Sequence, residues 1–209
     1  MKQIVITLLL CATVLGALYF ITHKSEAQSD VIDTIYARRS IRVYKDVPVE
    51  REKLDIIARC GIAAPNARNL QDWAVRIVDS KEWIDRSTAL YLPTIEGTPL
   101  ADYLLKEDFR NMYRNAAAVI FVAAAPSDFA GVNCGLMGQN MMLAAHQLGL
   151  GTCCLGMPLP FLNSEAGAPL LASLNLPEGY VLQYALAVGY PDESPEAKPR
   201  DESKIAYVE

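Results

Sequence analysis

Residues 116–124 read Ala-Ala-Ala-Val-Ile-Phe-Val-Ala-Ala, and no other stretch limits the fold as strongly. A short apolar run without polar alternation is a strand covered on both faces. Asn133 to Leu148 then reads as a helix with small and apolar residues nearly all round, among them Leu136, Met137, Met141, Met142, Leu143, Ala144, Ala145 and Leu148. Such a helix must be buried on several sides, either centrally or in a subunit interface. Both elements demand cover, and 209 residues are enough to supply it without metals or disulfides.

The remaining elements are weaker. Ser29 caps a predicted helix through Val31, Ile32, Ile35 and Tyr36, which gives way near Ser40 to an extended Ile41–Tyr44. Pro48 opens a helix over Glu50 to Cys60, with Leu54, Ile57 and Ala58 as its stripe and Gly61 at its C′ position. Pro65–Asn69 is a loop, and Trp73–Val78 is a strand. Residues 81–112 read as short helices with a flexible centre near 93–100, either a cover over a ligand or a solvated connector. Gly149-Leu150-Gly151 stops the apolar helix, and Thr152–Leu155 and Gln183–Val188 are strands. After Gly189 the composition turns to Asp, Glu, Pro and Lys, a tail without its own core that must cross another surface.

The N-terminus is set apart. Ile4 to Ile21 is apolar apart from Thr7, Thr13 and Gly16, and Ser25-Glu26-Ala27 has small residues at −3 and −1 for cleavage after Ala27. Residues 1–27 are therefore a removed signal or a membrane tether through 4–21, and residues 28–209 an exported or membrane-anchored domain. That domain carries 17 basic and 23 acidic side chains, a net charge of −6. An acidic chain lacks the basic surface that nucleic-acid binding needs. With His23 and His146 the only histidines, no multi-His metal site can form, and no Walker A loop, G-x-G-x-x-G, H-E-x-x-H or G-x-S-x-G is present. Cys153 and Cys154 sit in an apolar stretch and read as buried small hydrophobes.

Three places concentrate polar chemistry. Arg38-Arg39-Ser40-Ile41-Arg42 puts three guanidinium groups within five residues of an acidic chain. They suit a phosphate or carboxylate, or else decorate a helix C-terminus. Lys198 and Arg200 could clamp the same anion from a second direction, or be solvated charge. Pro65-Asn66-Ala67-Arg68-Asn69 is rich in amides, which suit the edge of a heterocycle, although turn chemistry alone explains part of it. Gly156, after Leu155, would let backbone approach a flat ring closely.

In this order and spacing the pieces resemble the nitroreductase family of FMN-dependent oxidoreductases over about residues 31–209. The resemblance rests on Arg-Arg-Ser-Ile-Arg-x-Tyr, Ala-Ala-Pro-Asn-Ala-Arg-Asn-Leu-Gln-Asp-Trp, the segment from Asn133 to Gly156, Gly-Tyr-Pro and the late Lys-x-Arg. It implies an α+β fold, a central mostly antiparallel sheet flanked by helices, and an intertwined homodimer with FMN at the interface. Arg38, Arg39, Ser40 and Arg42 would hold the FMN phosphate and ribityl chain with Lys198 and Arg200. Pro65, Asn66 and Ala67 would reach the partner's flavin, Asn69 the ring edge, and Leu155 and Gly156 the neighbourhood of N5. No side chain is implied as catalyst, since the chemistry is at flavin N5. NADH or NADPH would be the donor and a nitroaromatic, quinone or enone the small-molecule acceptor. Two residues depart from the family pattern: Asn133 where Asp is frequent, and Asp72 where Pro is common. The rival readings are a tethered reductive dehalogenase resembling iodotyrosine deiodinase, for which Glu96, Tyr103 and Lys106 lie in the cover region, and a non-catalytic flavin-binding module.

Overall fold

The computed structural model of the chain describes residues 31–106 and 108–208. The expected N-terminal signal or anchor and the Ser29 cap lie outside them. Among the described residues no helix is long and apolar enough to cross a membrane. Thr34 onward forms one compact unit.

That unit is built on a four-stranded sheet of order β1-β2-β4-β3. The strands are β1 (Trp73–Val78), β2 (Ala118–Ala124), β3 (Gly151–Leu155) and β4 (Val181–Gly189), and every pairing is antiparallel. The apolar run in 116–124 is the interior strand β2, all seven of whose residues are buried. Alternation divides it between two cores. Val119, Phe121 and Ala123 face one cluster, and Ala118, Ile120, Val122 and Ala124 face the other. In β4 the alternation slips once, where Val122 pairs with Tyr184 but Ala123 with Leu182. Gln183 is thus an extra residue, and this bulge moves Leu182 and Tyr184 to opposite faces.

Among the described residues there are seven α-helices: α1 (Val31–Ala37), α2 (Arg51–Ile62), α3 (Lys81–Ile95), α4 (Pro99–Leu104), α5 (Ala130–Gln147), α6 (Pro158–Leu162) and α7 (Ala168–Ser173). Leu54 and Ile57 of α2 join Cys134, Met137, Met141 and Ala145 of α5 on one face. Residues of α3, α4, α6 and α7 cover the other, with Ile41 and Tyr44. This is the α+β arrangement expected of the family, with helices on both sides of an antiparallel sheet.

Several expectations need correction. Gly61 is not a C′ residue, because α2 runs on to Ile62. A Cβ on Gly61 would lie 2.4 Å from Met141 Cε and 2.7 Å from its Cγ, so glycine is there for close approach of α2 to α5. Within the chain helix α5 is buried along Cys134, Met137, Met141 and Ala145, while Val132 and Leu136 are exposed, the side to which the subunit-interface alternative applies. The centre expected to be flexible is helical through Ile95 and interrupted only at Glu96–Thr98, where Thr98 caps α4 with Pro99 at its start. Cys154 is exposed while Cys153 is buried, because β3 is an edge strand and the two point to opposite faces.

Candidate functional site

The Arg-rich segment is placed by what precedes and follows it. Helix α1 ends at Ala37, and Arg39 Nη1 turns back to donate to the carbonyls of Tyr36 (2.5 Å) and Ala37 (3.0 Å). Arg39 is therefore largely the helix-end cation that the sequence left as one of two readings. From Ser40 the chain runs along the open edge of β3. Ser40 bridges Thr152, and Ile41 N–H donates to the Thr152 carbonyl at 2.9 Å. Gly151 permits this approach, because a Cβ there would fall 2.6 Å from Ile41 Cγ1. Across the segment, Lys45 N–H donates to Tyr190 O at 2.9 Å and Asp192 N–H to Val43 O at 3.0 Å. The Glu193 carboxylate accepts from the backbone N–H groups of Arg42 and Val43. Sequence reasoning missed this clamp, which joins residues 150 positions apart.

Beyond Glu193 the tail passes back over the segment. Arg38, Arg39, Ser40, Arg42, Lys198 and Arg200 together line a cavity of 390 Å³, with Glu196 as the carboxylate in its wall. None of its cations is ion-paired among the described residues. Arg38 is the most exposed to the consequences: its Nη1 is buried and has no hydrogen-bond partner. Burial, then the charges of Arg39 and Arg200, lower its pKa. An arginine stays cationic regardless, so the group is a desolvated charge awaiting an anion. The donor set fits a phosphate, with a planar guanidinium fork, a hydroxyl and further cations converging on one space.

Leu155 ends β3 and Gly156 follows it. The Leu155 side chain is in the core, whereas Gly156 is open, with nothing within 4 Å of where its Cβ would be. Thr152, which holds Ser40, is four residues back along the strand, about 13 Å at 3.3 Å per residue. The cradle and Gly156 thus mark two ends of one sheet edge. Burial pushes the Cys153 thiol up, the reverse of what a reactive thiolate needs.

The amide loop lies elsewhere. Asn66 Oδ1 accepts from Gln71 N–H at 3.0 Å, and Asn133 Oδ1, in the first turn of α5, accepts from Ala67 N–H at 3.1 Å. Arg68, Asn69 and Gln71 all have φ between 53 and 54°, the left-handed region costly to residues other than glycine. Pro65 and Asn69 are exposed and Asn66 and Ala67 half-buried. The other end of α5 meets the Arg segment, where Gln147 donates to Thr34 Oγ1. An 18-residue helix is about 27 Å long, so a single chain does not bring Pro65–Asn69 to the cradle. The two departures from the family pattern turn out to be neighbours, Asn133 Nδ2 lying 3.5 Å from Asp72 Oδ1. An amide at 133 can donate to that carboxylate; a second carboxylate would repel it.

Comparison with known proteins identifies the family. The model of the Nitroreductase family matches residues 35–190. An NADPH-flavin oxidoreductase of Vibrio harveyi is 32% identical over 180 residues, which span 82% of this chain and 70% of that protein. A nitroreductase with bound FMN from Desulfitobacterium hafniense superposes with a TM-score of 0.75 at 29% identity, over 86% of this chain and 98% of that one. A second nitroreductase structure, from Bacteroides fragilis, shares the fold at a TM-score of 0.76 and 23% identity. The chain belongs to the nitroreductase family.

Proposed function

We propose that the protein is an FMN-dependent NAD(P)H oxidoreductase that passes electrons to an electron-poor acceptor, a nitroaromatic, quinone or enone. One observation carries the reading beyond family membership: the buried, unpartnered Nη1 of Arg38 in a cavity lined by unpaired cations. FMN, when bound, supplies reversible two-electron transfer between a nicotinamide and the acceptor. The chain's own part is to hold and orient it. Arg38 would take the phosphate, relieving its repulsion from Arg39 and Arg200, while Lys198 and Arg200 close over it from the tail. Ser40 would add a hydroxyl donor, and Arg42, whose own N–H donates to Glu193, would stand further along toward the ring. Leu155 and Gly156 would lie near N5, where the absence of a side chain at 156 leaves the backbone accessible to a flat ring.

The same reading includes a homodimer. Val132 and Leu136 on α5 are uncovered, as are Ile205 (77% exposed), Tyr207 (99%) and Val208 (97%) in the tail. Apolar surface of this kind fits a partner subunit. A second chain would also carry its Pro65–Asn69 loop to the flavin, which one chain cannot do. The test is an anaerobic visible spectrum of the purified protein reconstituted with FMN and titrated with NADPH, then NADH. Bleaching of the flavin bands is the expected result and identifies the donor. Flavin that stays yellow with both donors rules out this cycle, and a protein that takes up no FMN rules out the cradle.

A further inference from the structure

A second cavity, of 220 Å³, adjoins the cradle and shares Arg42 with it. Its wall is Arg42 and Val43 on one side and residues from Tyr103 to Asn115 on the other. The far wall is held by its own hydrogen bonds. Asn115, at φ 63°, accepts through Oδ1 from Arg110 N–H (2.7 Å) and Asn111 N–H (3.0 Å) and donates through Nδ2 to Asp108 O (2.8 Å). Buried Asn111 accepts from Tyr113 N–H at 2.9 Å and donates to Ala116 O at 3.2 Å. Arg114 is left-handed too, at φ 61°. Two successive non-glycine residues in that region persist only where the surroundings impose them, and such positions cluster at ligand sites.

The outcome is a fixed group of cations. Arg114 Nη1 donates to Tyr103 Oη at 3.1 Å, its guanidinium lies 5.0 Å from the Tyr103 ring centre, and Lys106 Nζ lies 5.7 Å from the same ring. Arg114 Nε is buried without a hydrogen-bond partner. Among the described lining residues, Arg42, Lys106 and Arg114 stand with the carboxylate of Asp108. None of the three cations is ion-paired among the described residues. The same charges hold the Tyr103 phenol below its ordinary pKa, the Arg114 hydrogen bond first among the causes.

The geometry points to this cavity as an anion site that receives the acidic group, carboxylate or phosphate, of one of the two substrates that visit the flavin. The inference rests on the oxidoreductase reading and deepens it. At 220 Å³ the space is smaller than the roughly 300–1,000 Å³ of a pocket that encloses a whole drug-sized ligand, so it takes one end of a substrate rather than all of it. Apart from Arg42, its described lining shares no residue with the phosphate cradle.

The experiment compares the wild-type holoenzyme with Arg114→Gln and Lys106→Gln, using 4-nitrobenzoate against nitrobenzene and NADPH against NADH. Arg114→Gln should raise one charged-substrate KM about tenfold, and Lys106→Gln the same one about threefold, a span of affinity normal for a charged hydrogen bond. Nitrobenzene, which carries no charge, should keep its KM within twofold. An effect on 4-nitrobenzoate assigns the site to the acceptor's carboxylate; an effect on NADPH alone assigns it to the donor's 2′-phosphate, and an effect on NADPH and NADH alike to the diphosphate that both carry. Equal changes for charged and neutral substrates, or none, overturn the proposal. Since Arg114 holds an uncommon backbone conformation, Lys106→Gln on the exposed rim provides the reading if Arg114→Gln does not fold. Calorimetric titration of the holoenzyme with benzoate and with inorganic phosphate separates this inference from the activity. Binding that wild type has and the variants lose supports the anion site even if no NAD(P)H is oxidised, and identical isotherms end it.

Discussion

The cradle around Arg38 and the loop Pro65–Asn69 are both rich in side-chain donors, yet they stand in opposite states. In the loop, Asn66 Oδ1 is engaged by Gln71 N–H and Asn133 Oδ1 by Ala67 N–H, so polar atoms mainly fix the loop's own shape. In the cradle, Arg38 Nη1 is buried and unsatisfied, and the cations beside it have no counter-ion among the described residues. An unmade hydrogen bond on a buried charge is expensive, and it persists where a ligand completes it. Composition alone does not separate a ligand site from a self-satisfied loop. What separates them is which donors remain open after folding.

The contrast breaks most sharply at Arg38. Arg38→Gln should weaken FMN binding about 100-fold, near 2.7 kcal/mol, as expected for loss of a charge-assisted contact at a half-buried position. Arg39→Gln, whose Nη1 is already held by α1 carbonyls, should weaken FMN by less than about fivefold, while loosening α1 by the 0.3–1 kcal/mol typical of a helix-end cation. Fluorescence titration of FMN against both variants decides it. Equal losses would mean the two guanidinium groups share the phosphate and the open Nη1 is incidental.

Gly151→Ala sharpens the same comparison from below. The added methyl must displace Ile41, which lies within 2.6–2.9 Å of it, and with it the run from Ser40 to Arg42 docked on β3. Overpacking of this kind costs about 1–3 kcal/mol, to be read by urea unfolding, and FMN affinity should fall with it. A variant that loses stability but keeps its FMN affinity would show that docking on the β3 edge does not position the cradle. In the loop, Asn133→Asp sets a second carboxylate beside Asp72, now 3.5 Å from the amide, and should cost about 1 kcal/mol near pH 7. Restoring a donor through Asp72→Asn should recover most of it, and the double-mutant cycle measures the pairing directly. Additive effects would mean that the two side chains do not interact.

How much of this could be read beforehand follows from the range of each interaction. Strand β2 and helix α5 were legible because an unbroken apolar run and a long helical pattern are local signals. The cradle was legible for the same reason, three arginines falling within one short segment. Helices α6 and α7 were not, since five or six residues make less than two turns and show no period. Gly61 read as a helix stop because its reason, the Met141 side chain, lies 80 positions away in sequence. The pairing of Asn133 with Asp72, and the grip of Glu193 on the Arg42 backbone, are likewise contacts between distant segments. Sequence spacing marks the donors; only the fold tells which of them are left open.

The smallest expected effect tests where the phosphate sits. His146, in the last turn of α5, lines a 240 Å³ space with Arg38 and Arg39 on the other side of the arginine pair. Burial first, then the charges of Arg38 and Arg39, lower its pKa. Because the folded value lies below the unfolded one, the unfolded chain binds more protons on acidification, and this residue costs stability as pH falls through about 6.5. A phosphate bound at Arg38 places negative charge that offsets the arginines, so FMN should raise the His146 pKa by less than about one pH unit. Riboflavin, which lacks the phosphate, should leave it where it is. NMR titration of the imidazole protons, with His146→Asn to assign them against His23, reads the difference. A shift of equal size with both flavins would place the phosphate away from Arg38 and return the cradle's open donor to some other anion.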